Sequence, residues 1–444
     1  MSRALLQAWR KTLRQRGGER ALVEAATGRT MTFREIDLAA TAWMAAHAPD
    51  PAPLAGRAVV FAVPNGAAWL EIFLGLMKAG AVAVPLDPGE PPAAQQRLAA
   101  ALRAGAWWDS AALVPISGAR RYRDPAPCLV KLTSGSTGRP RPLVFTDAQM
   151  LADGRQVTAT MRIRARDLNY GLIPLGHSYG LGNLTLPLLA QGVPLVCGTA
   201  ALPQAIAADF ARWSPTVFPG VPTIWRALAA SDVRLASLRL AISAGAPLPP
   251  EVARDFAARF GRPLHSFYGS SETGGISYDR TGRAALAGHV GTALRGVKLA
   301  GLGGQRLCVS SAAVITHGHT RQVGRHGAWI MPDRATLGAR GEVTLLGRRG
   351  TTVKIAGRRV NLAEAADRLR RLPAVRDAWV GVTGGADPVL AAVVATERTP
   401  VELRAALQAV AAPWSIPKKL LVVAALPVTA RGKTDTRALQ GMVG

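Results

Sequence analysis

From Ala58 to Pro88 the chain reads A-V-V-F-A-V-P-N-G-A-A-W-L-E-I-F-L-G-L-M-K-A-G-A-V-A-V-P-L-D-P. An unbroken apolar strand leads through a turn into an amphipathic helix and a second unbroken apolar strand. Strands without polar alternation are buried on both faces, and a helical crossover joins strands that run the same way. The stretch therefore predicts a βαβ unit in a parallel sheet, and few other folds accommodate it. The same alternation returns downstream. Helix is expected from Asp147 to Val157 and from Leu181 to Gln191, and strand over Asn169–Pro174, Val193–Val196, Thr216–Pro222 and Leu238–Ser243. Upstream, two short strands around a Thr-Gly turn lead to a helix capped by Thr32, with Glu35 three residues on, a capping-box pattern. The class is α/β.

At 444 residues the chain is too long for one ordinary core. Past Leu345 the texture changes to short strands and an Arg-rich helix, after a Gly-Arg-Arg-Gly stretch at 347–350. The expectation is a large N-terminal domain of several subdomains with mostly parallel sheets, residues 1–347. A hinge would join it to a small α+β C-terminal domain, residues 348–444. Cys128, Cys197 and Cys308 are scattered without metal-ligand spacing, which fits a reduced, cytoplasmic protein. The run from Leu70 to Leu86 contains Glu71, Lys78 and two glycines, so it reads as a core helix turning into a strand and no membrane span is expected. The Arg-rich N-terminus lacks a signal-peptide core; it reads as an amphipathic surface helix, with a transit peptide as the other reading.

The net charge is +26. It is spread along the sequence without blocks, so no nucleic-acid partner is expected. It does thicken from Leu345 onward, where 16 Lys+Arg stand against 7 Asp+Glu, which suits an anionic partner for the small domain.

A second constraint is Lys131–Thr146, K-L-T-S-G-S-T-G-R-P-R-P-L-V-F-T. The apolar strand ending at Cys128, Leu129 and Val130 breaks into small residues from Thr133 to Gly138 and resumes at Leu143, Val144 and Phe145. Gly135 and Gly138 allow a tight turn. The hydroxyls of Thr133, Ser134, Ser136 and Thr137, with freed N–H groups, form a nest suited to phosphate oxygens. Arg139 and Arg141 add positive charge. By itself a Ser/Gly run is equally a flexible loop. The continuation R-P-R and the following strand make the stretch resemble the phosphate-binding loop of the adenylate-forming enzymes: acyl-CoA synthetases, aryl-acid ligases, amino-acid adenylation domains and luciferases. Arg141 stands where that family carries Lys, and Pro142 where it carries Gly.

Further landmarks follow in the family's order from about residue 20 to Leu439. His177, in G-H-S-Y-G-L-G-N, resembles the residue that gates the acyl pocket, with Tyr179, Gly180 and Gly182 lining it. Between Pro174 and Ala190 there is no acidic residue to hold a substrate ammonium, so α-amino acids are disfavoured. Gly245-Ala246-Pro247 resembles the turn that contacts adenine. Tyr268-Gly269-Ser270-Ser271-Glu272 resembles Y-G-x-T-E; Tyr268 would stack on adenine, Ser271 would bind phosphate, and Glu272 with Thr137 would hold Mg²⁺. Asp333 matches the ribose-binding carboxylate. Gly347–Val360 resembles the hinge segment: Arg348 would touch ribose, Gly350 stands at the pivot in place of Asp, and Lys354, Gly357 and Arg358 would face the thiol tunnel. Glu364 matches the acid on the next helix. L-P-V-T-A-R-G-K over Leu426–Lys433 resembles the C-terminal motif whose lysine, here Lys433, bridges substrate carboxylate and α-phosphate. A Walker A reading of Gly-Lys-Thr fails, because Pro427 occupies the required glycine position.

The resemblance implies a two-step ligase. A fatty or aryl acid and Mg²⁺-ATP would give acyl-adenylate and pyrophosphate, and a thiol would then take the acyl group. The acceptor would be coenzyme A or the phosphopantetheine arm of an acidic acyl carrier protein. A catalytically silent ATP-binding relative is the third reading. No H-E-x-x-H, C-x-x-C, G-x-S-x-G or G-x-G-x-x-G pattern competes.

Overall fold

A computed structural model describes residues 4–122, 127–133, 141–316, 323–324, 327–348, 352–355, 358–383, 389–408, 411, 415–429 and 433–444. The chain forms two compact units: Met1–Ala300 with Cys308–Ile330 and Leu337–Val343, and Gly301–Leu307 with Met331–Thr336 and Thr344–Gly444.

In the first unit, helix α1 (Ala4–Arg16) precedes strands β1 (Arg20–Glu24) and β2 (Arg29–Thr32). Helix α2 (Phe33–His47) starts at the expected capping box: the Glu35 N–H donates to the Thr32 hydroxyl at 3.2 Å, and the Thr32 N–H donates to the Glu35 carboxylate at 2.7 Å. The predicted βαβ unit follows as β3 (Ala58–Phe61), α3 (Ala67–Lys78) and β4 (Val82–Pro85), with Ala58 opposite Val82 in parallel register. Both strands are buried throughout, as their unbroken apolar sequences require. Helix α4 (Pro92–Ala101) leads to β5 (Ala106–Trp108) and β6 (Leu113–Pro115). Strands β7 (Leu129–Thr133) and β8 (Arg141–Phe145) complete a six-stranded sheet in the order β6-β5-β3-β4-β7-β8. Its inner strands are parallel, and β6 and β8 close it as antiparallel edges. Pro142 sits on β8, an edge strand, where a missing N–H is tolerated.

Helix α5 (Asp147–Met161) opens with a second capping box, from Thr146 and Gln149. Strands β9 (Asn169–Gly171), β10 (Leu195–Cys197), β11 (Val217–Gly220), β12 (Leu240–Ser243), β13 (Leu264–Ser270), β14 (Gly274–Tyr278) and β15 (Thr292–Ala293) then build a nine-stranded sheet. Its order is β15-β14-β13-β12-β11-β9-β10-β1-β2. From β13 to β1 neighbouring strands are parallel, and antiparallel strands again form both edges. One face packs on Tyr170, Phe210, Phe218, Trp225 and Phe256, whose rings meet at centroid distances of 4.7–6.0 Å.

The helix expected over Leu181–Gln191 is not uniform. It begins as α6 (Ser178–Gly180), widens into a π-helical turn over Leu181–Thr185, and ends as α7 (Leu186–Gln191). A Cβ at Gly180 would run into the Pro174 carbonyl, so the chain turns back on itself there only with glycine.

In the second unit, Val375–Val382 is antiparallel to Leu390–Thr396, which runs parallel to Lys419–Val423. Helices Leu362–Arg370 and Pro400–Gln408 pack Leu369 and Leu403 against Val380, Val394 and Leu420. Helix Thr436–Val443 covers Ala391 and Val393 with Leu439 and Val443. A hairpin pairs Thr352–Ile355 with Arg358–Asn361.

Candidate active site

Strands β9, β11, β12 and β13 are mutually parallel, so the segments that leave their carboxyl ends lie along one edge of the sheet. Such an edge is where open α/β sheets place ligands. Three sequence landmarks emerge there: His177 beyond β9, Gly245-Ala246-Pro247 after β12, and Tyr268 to Glu272 at the end of β13.

The Gly245 turn is exposed, and its φ of +86° is one that glycine adopts at no steric cost. Ser243 just before it is buried, and its hydroxyl has no hydrogen-bond partner among the described residues. The hairpin from β13 to β14 carries the next group. Tyr268 is half-buried opposite Ser277, and the register slips between Tyr268 and Gly269. A Cβ at Gly269 would stand 2.7 Å from the Gly274 carbonyl, so the two strands cross there without side chains. The Ser270 hydroxyl accepts from the Glu272 N–H at 3.2 Å and meets the Thr273 hydroxyl at 3.1 Å. The Glu272 carbonyl accepts from the Ile315 N–H at 2.8 Å. Backbone bonds on both sides thus hold Glu272, with its side chain half-buried; Ser271 beside it is half-buried too.

On the acid side, Asn65 of the Pro-Asn turn after β3 clamps the approach to His177. Its amide donates to the Ile173 carbonyl at 2.9 Å, and its carbonyl accepts from the Leu175 N–H at 2.9 Å. His177 caps α6, and its Nε2 lies 4.0 Å from a carboxylate oxygen of buried Asp87. Tyr179 is tied down by its hydroxyl, 3.2 Å from the carbonyls of Gly220 and Ile242 at the ends of β11 and β12. Burial, with Tyr278 nearby, holds that phenol well above its ordinary range, so it stays neutral. Gly180 and Gly182 are buried, and Gly182 faces the carboxylate of Asp153.

Asp153 and Lys131 carry no signal that sequence reading picks out. Lys131 is 5% exposed on β7, with its ammonium 4.2 Å from the centre of the Phe145 ring. Asp153 is 3% exposed on α5 and accepts from the Gly275 N–H at 2.9 Å. Burial pushes the Lys131 ammonium below its usual range, and the charges of Asp153, Cys128 and Glu272 push back. Burial raises Asp153, against the pull of Lys131 and the Gly275 N–H.

Of the phosphate loop, Ser134, Gly135, Ser136, Thr137 and Gly138 lie outside the described residues, as do Gly350 and Gly357. The backbone of Thr133 ends β7 opposite Arg141, which is exposed on β8. Arg348 ends the strand Val343–Arg348, and Lys354 and Arg358 lie in the hairpin of the second unit. Asp333 is buried on the strand Ala328–Leu337. Lys433 is exposed in a turn closed by the Thr429 N–H, which donates to the Lys433 carbonyl at 2.7 Å. Glu364 pairs with Arg368 at 2.6 Å.

The model of the AMP-binding enzyme family matches residues 9–106 and 119–306, well over half of the chain. The chain belongs to the AMP-binding enzyme family. It is an AMP-forming ligase. Among members of the AMP-binding family, it is 28% identical to a feruloyl-CoA synthase from Amycolatopsis sp over 436 residues, 85% of this chain and 87% of that one. It is 27% identical to the benzoate–CoA ligase of Thauera aromatica, over 74% of this chain and 69% of that one. Its fold matches that of ATP-bound MatB from Rhodopseudomonas palustris with a TM-score of 0.83 at 20% identity, covering 98% of each chain. The anthranilate CoA ligase AuaEII in complex with anthranoyl-AMP matches with a TM-score of 0.81 at 20% identity, over 99% of this chain and 97% of that one. The two-domain AMP-binding architecture expected from the sequence is thereby that of the chain. No helix among its described residues is long and apolar enough to cross a membrane.

Proposed function

We propose that the protein activates an aryl or fatty acid with ATP as its acyl-adenylate, releasing pyrophosphate, and passes the acyl group to the thiol of coenzyme A. One observation supports this most: the Gly245 turn, the Tyr268–Glu272 hairpin and the His177 segment share one edge of a parallel sheet. The strand that feeds the Ser134–Gly138 loop lies within electrostatic reach of the same hairpin, through Lys131 and Glu272.

In the first step a carboxylate oxygen attacks the α-phosphorus, and the bond to pyrophosphate breaks. Both reactants are anions, so the chain's task is to hold them in line and offset their repulsion. Lys433 is assigned that task, between the carboxylate and the α-phosphate. Thr133 to Gly138 and Arg141 hold the phosphates, Gly245 to Pro247 and Tyr268 the adenine, and Asp333 and Arg348 the ribose. Gly269, Ser270 and Ser271 shape the hairpin beside the phosphates. Glu272 suits Mg²⁺, which commonly takes one carboxylate together with substrate phosphates; when bound, the ion neutralises phosphate charge, with Thr137 as its second protein ligand. In the second step the thiol sulfur bonds to the acyl carbon and AMP leaves. We assign residues 1–347 and 348–444 to separate working domains, with Gly350 as the pivot and Lys354, Gly357 and Arg358 on the thiol side.

The acid is read as aryl before fatty, because the feruloyl-, benzoate- and anthranilate-CoA relatives act on aryl acids by name. Acid-dependent exchange of labelled pyrophosphate into ATP, across benzoic, cinnamic and fatty acids, tests the reading. No exchange with any acid removes it. Thioester formation with coenzyme A against holo-carrier protein then fixes the acceptor, and reaction with the carrier alone replaces coenzyme A in the proposal.

A further inference from the structure

The carboxyl end of α5 and the segment after β15 meet around an open surface cavity of about 380 Å³, lined by Thr158, Ala159, Arg162, Ile163, Arg164 and Arg295. Half of that lining is arginine, and none of it is acidic. The backbones beneath are pinned. The Arg295 N–H donates to the Thr160 hydroxyl at 2.9 Å, joining segments 135 residues apart. The Ile163 N–H donates to the Thr158 carbonyl at 3.0 Å, and the Arg164 N–H to the Asp167 carboxylate at 2.8 Å. The guanidiniums have no such anchors: among the described residues, those of Arg162, Arg164 and Arg295 neither donate a hydrogen bond nor meet a carboxylate. Asp167, the nearest acid along the chain, is buried and holds Arg239 at 2.8 and 2.9 Å instead. Gathering like charges around one recess raises their mutual repulsion, which a bound oxyanion relieves. Arg162 also ends α5 at φ +55° and ψ +39°, the left-handed conformation that helix ends ordinarily give to glycine. A residue with a Cβ is disfavoured there, and the one present lines the cavity.

We propose that this cavity is a second anion site, taking the diphosphate group of a small molecule. A guanidinium presents paired N–H donors to phosphate oxygens, and Arg162, Arg164 and Arg295 together match the charge of a diphosphate. A lone carboxylate would neutralise only one of them. The loop that carries Arg162 and Arg164 enters β9 at its amino end, whereas His177 lies beyond its carboxyl end, so the cavity stands apart from the candidate active site. Nothing in it depends on the adenylation reading above. The diphosphate is either the free inorganic ion or the arm of a larger molecule such as coenzyme A.

Calorimetric titration of the full chain with inorganic diphosphate, coenzyme A and sulfate at about 0.15 M salt tests it, for wild type, Arg162→Gly and Arg295→Ala. Binding at the active site is common to the wild type and both variants, so the difference between them reads the cavity. Each variant is expected to lose about tenfold or more in diphosphate affinity at the cavity. The urea midpoint should stay unchanged in Arg295→Ala and stay unchanged or rise in Arg162→Gly, since glycine suits that backbone. A fall in the Arg162→Gly midpoint leaves Arg295→Ala, on the other segment, as the deciding variant. Coenzyme A affinity that falls together with diphosphate affinity supports the site and identifies a diphosphate-bearing molecule as its ligand; a fall for inorganic diphosphate alone supports it with the free ion. Diphosphate isotherms that coincide for wild type and variants overturn the assignment. So does a wild type that binds diphosphate no more tightly than sulfate.

Discussion

At the scale of single residues, the site depends on groups whose neighbours leave them little freedom. Gly274 is the sharpest case. Its φ is +69°, and a Cβ there would drive into the Asp153 carboxylate. Gly274→Ala is expected to lower stability by at least about 1 kcal/mol, through backbone strain and displacement of a buried acid. Because Glu272 lies two residues away, pyrophosphate exchange should fall further than unfolding explains. Urea denaturation alongside exchange at a temperature where the variant is fully folded separates the two. Lys433 has the opposite character, a long exposed side chain on a closed turn. Lys433→Ala should leave the urea midpoint within error and abolish most acid-dependent exchange, by about 10²-fold or more. Full exchange in that variant withdraws its role.

At the scale of elements, the turn after β3 in one sheet holds the segment after β9 in the other. Asn65 acts as a backbone substitute, with one donor and one acceptor bonded across that gap. Asn65→Ala leaves a carbonyl and an N–H without those partners, at a cost of about 1–3 kcal/mol. The released segment carries His177, so KM for the acid should rise while KM for ATP stays put. A parallel rise in both would place the clamp's effect on the whole fold. Much of this level was legible in the sequence. The apolar strands from Ala58 to Pro88 produced the parallel pair they predict, and Thr32 with Glu35 produced the cap, because both signals act over a few residues. The π-helical turn at Leu181–Thr185 was not legible, since helical periodicity is the same on either side of one widened turn. Asp153 reads as a solvated helix residue until β14 and the Gly182 turn close over it. Lys131 in an apolar strand reads as an interruption. What makes Asp153 matter is its bond to the Gly275 N–H on β14, 122 residues further along the chain, which no local pattern encodes.

At the scale of the whole molecule, the buried acids and phenols set a pH response. Burial raises Tyr170, which donates to Asp209 at 2.7 Å, and it raises Tyr179 and Tyr278 as well. The Cys197 thiol is pushed up to about 12 by burial, with Glu24 adding to it. Each folded-state value lies above the unfolded one, so the unfolded chain releases protons first as pH rises. Stability from these groups is fully present below the ordinary thiol and phenol ranges, near 9.0 and 10.0, and is lost above them. Urea midpoints should hold steady from about pH 7 to 8.5 and fall steadily toward pH 11; a flat profile across that range contradicts the burial of these side chains. The margin of the six-stranded sheet has a different bearing on the whole molecule. An unpaired strand edge is a template on which another chain can assemble. Strand β8 meets solvent with an exposed arginine and an exposed proline at residues 141 and 142, the second without an N–H to offer. Among the described residues, the charged side chain at 141 and the missing N–H at 142 thus blunt that edge against strand-to-strand pairing between separate copies.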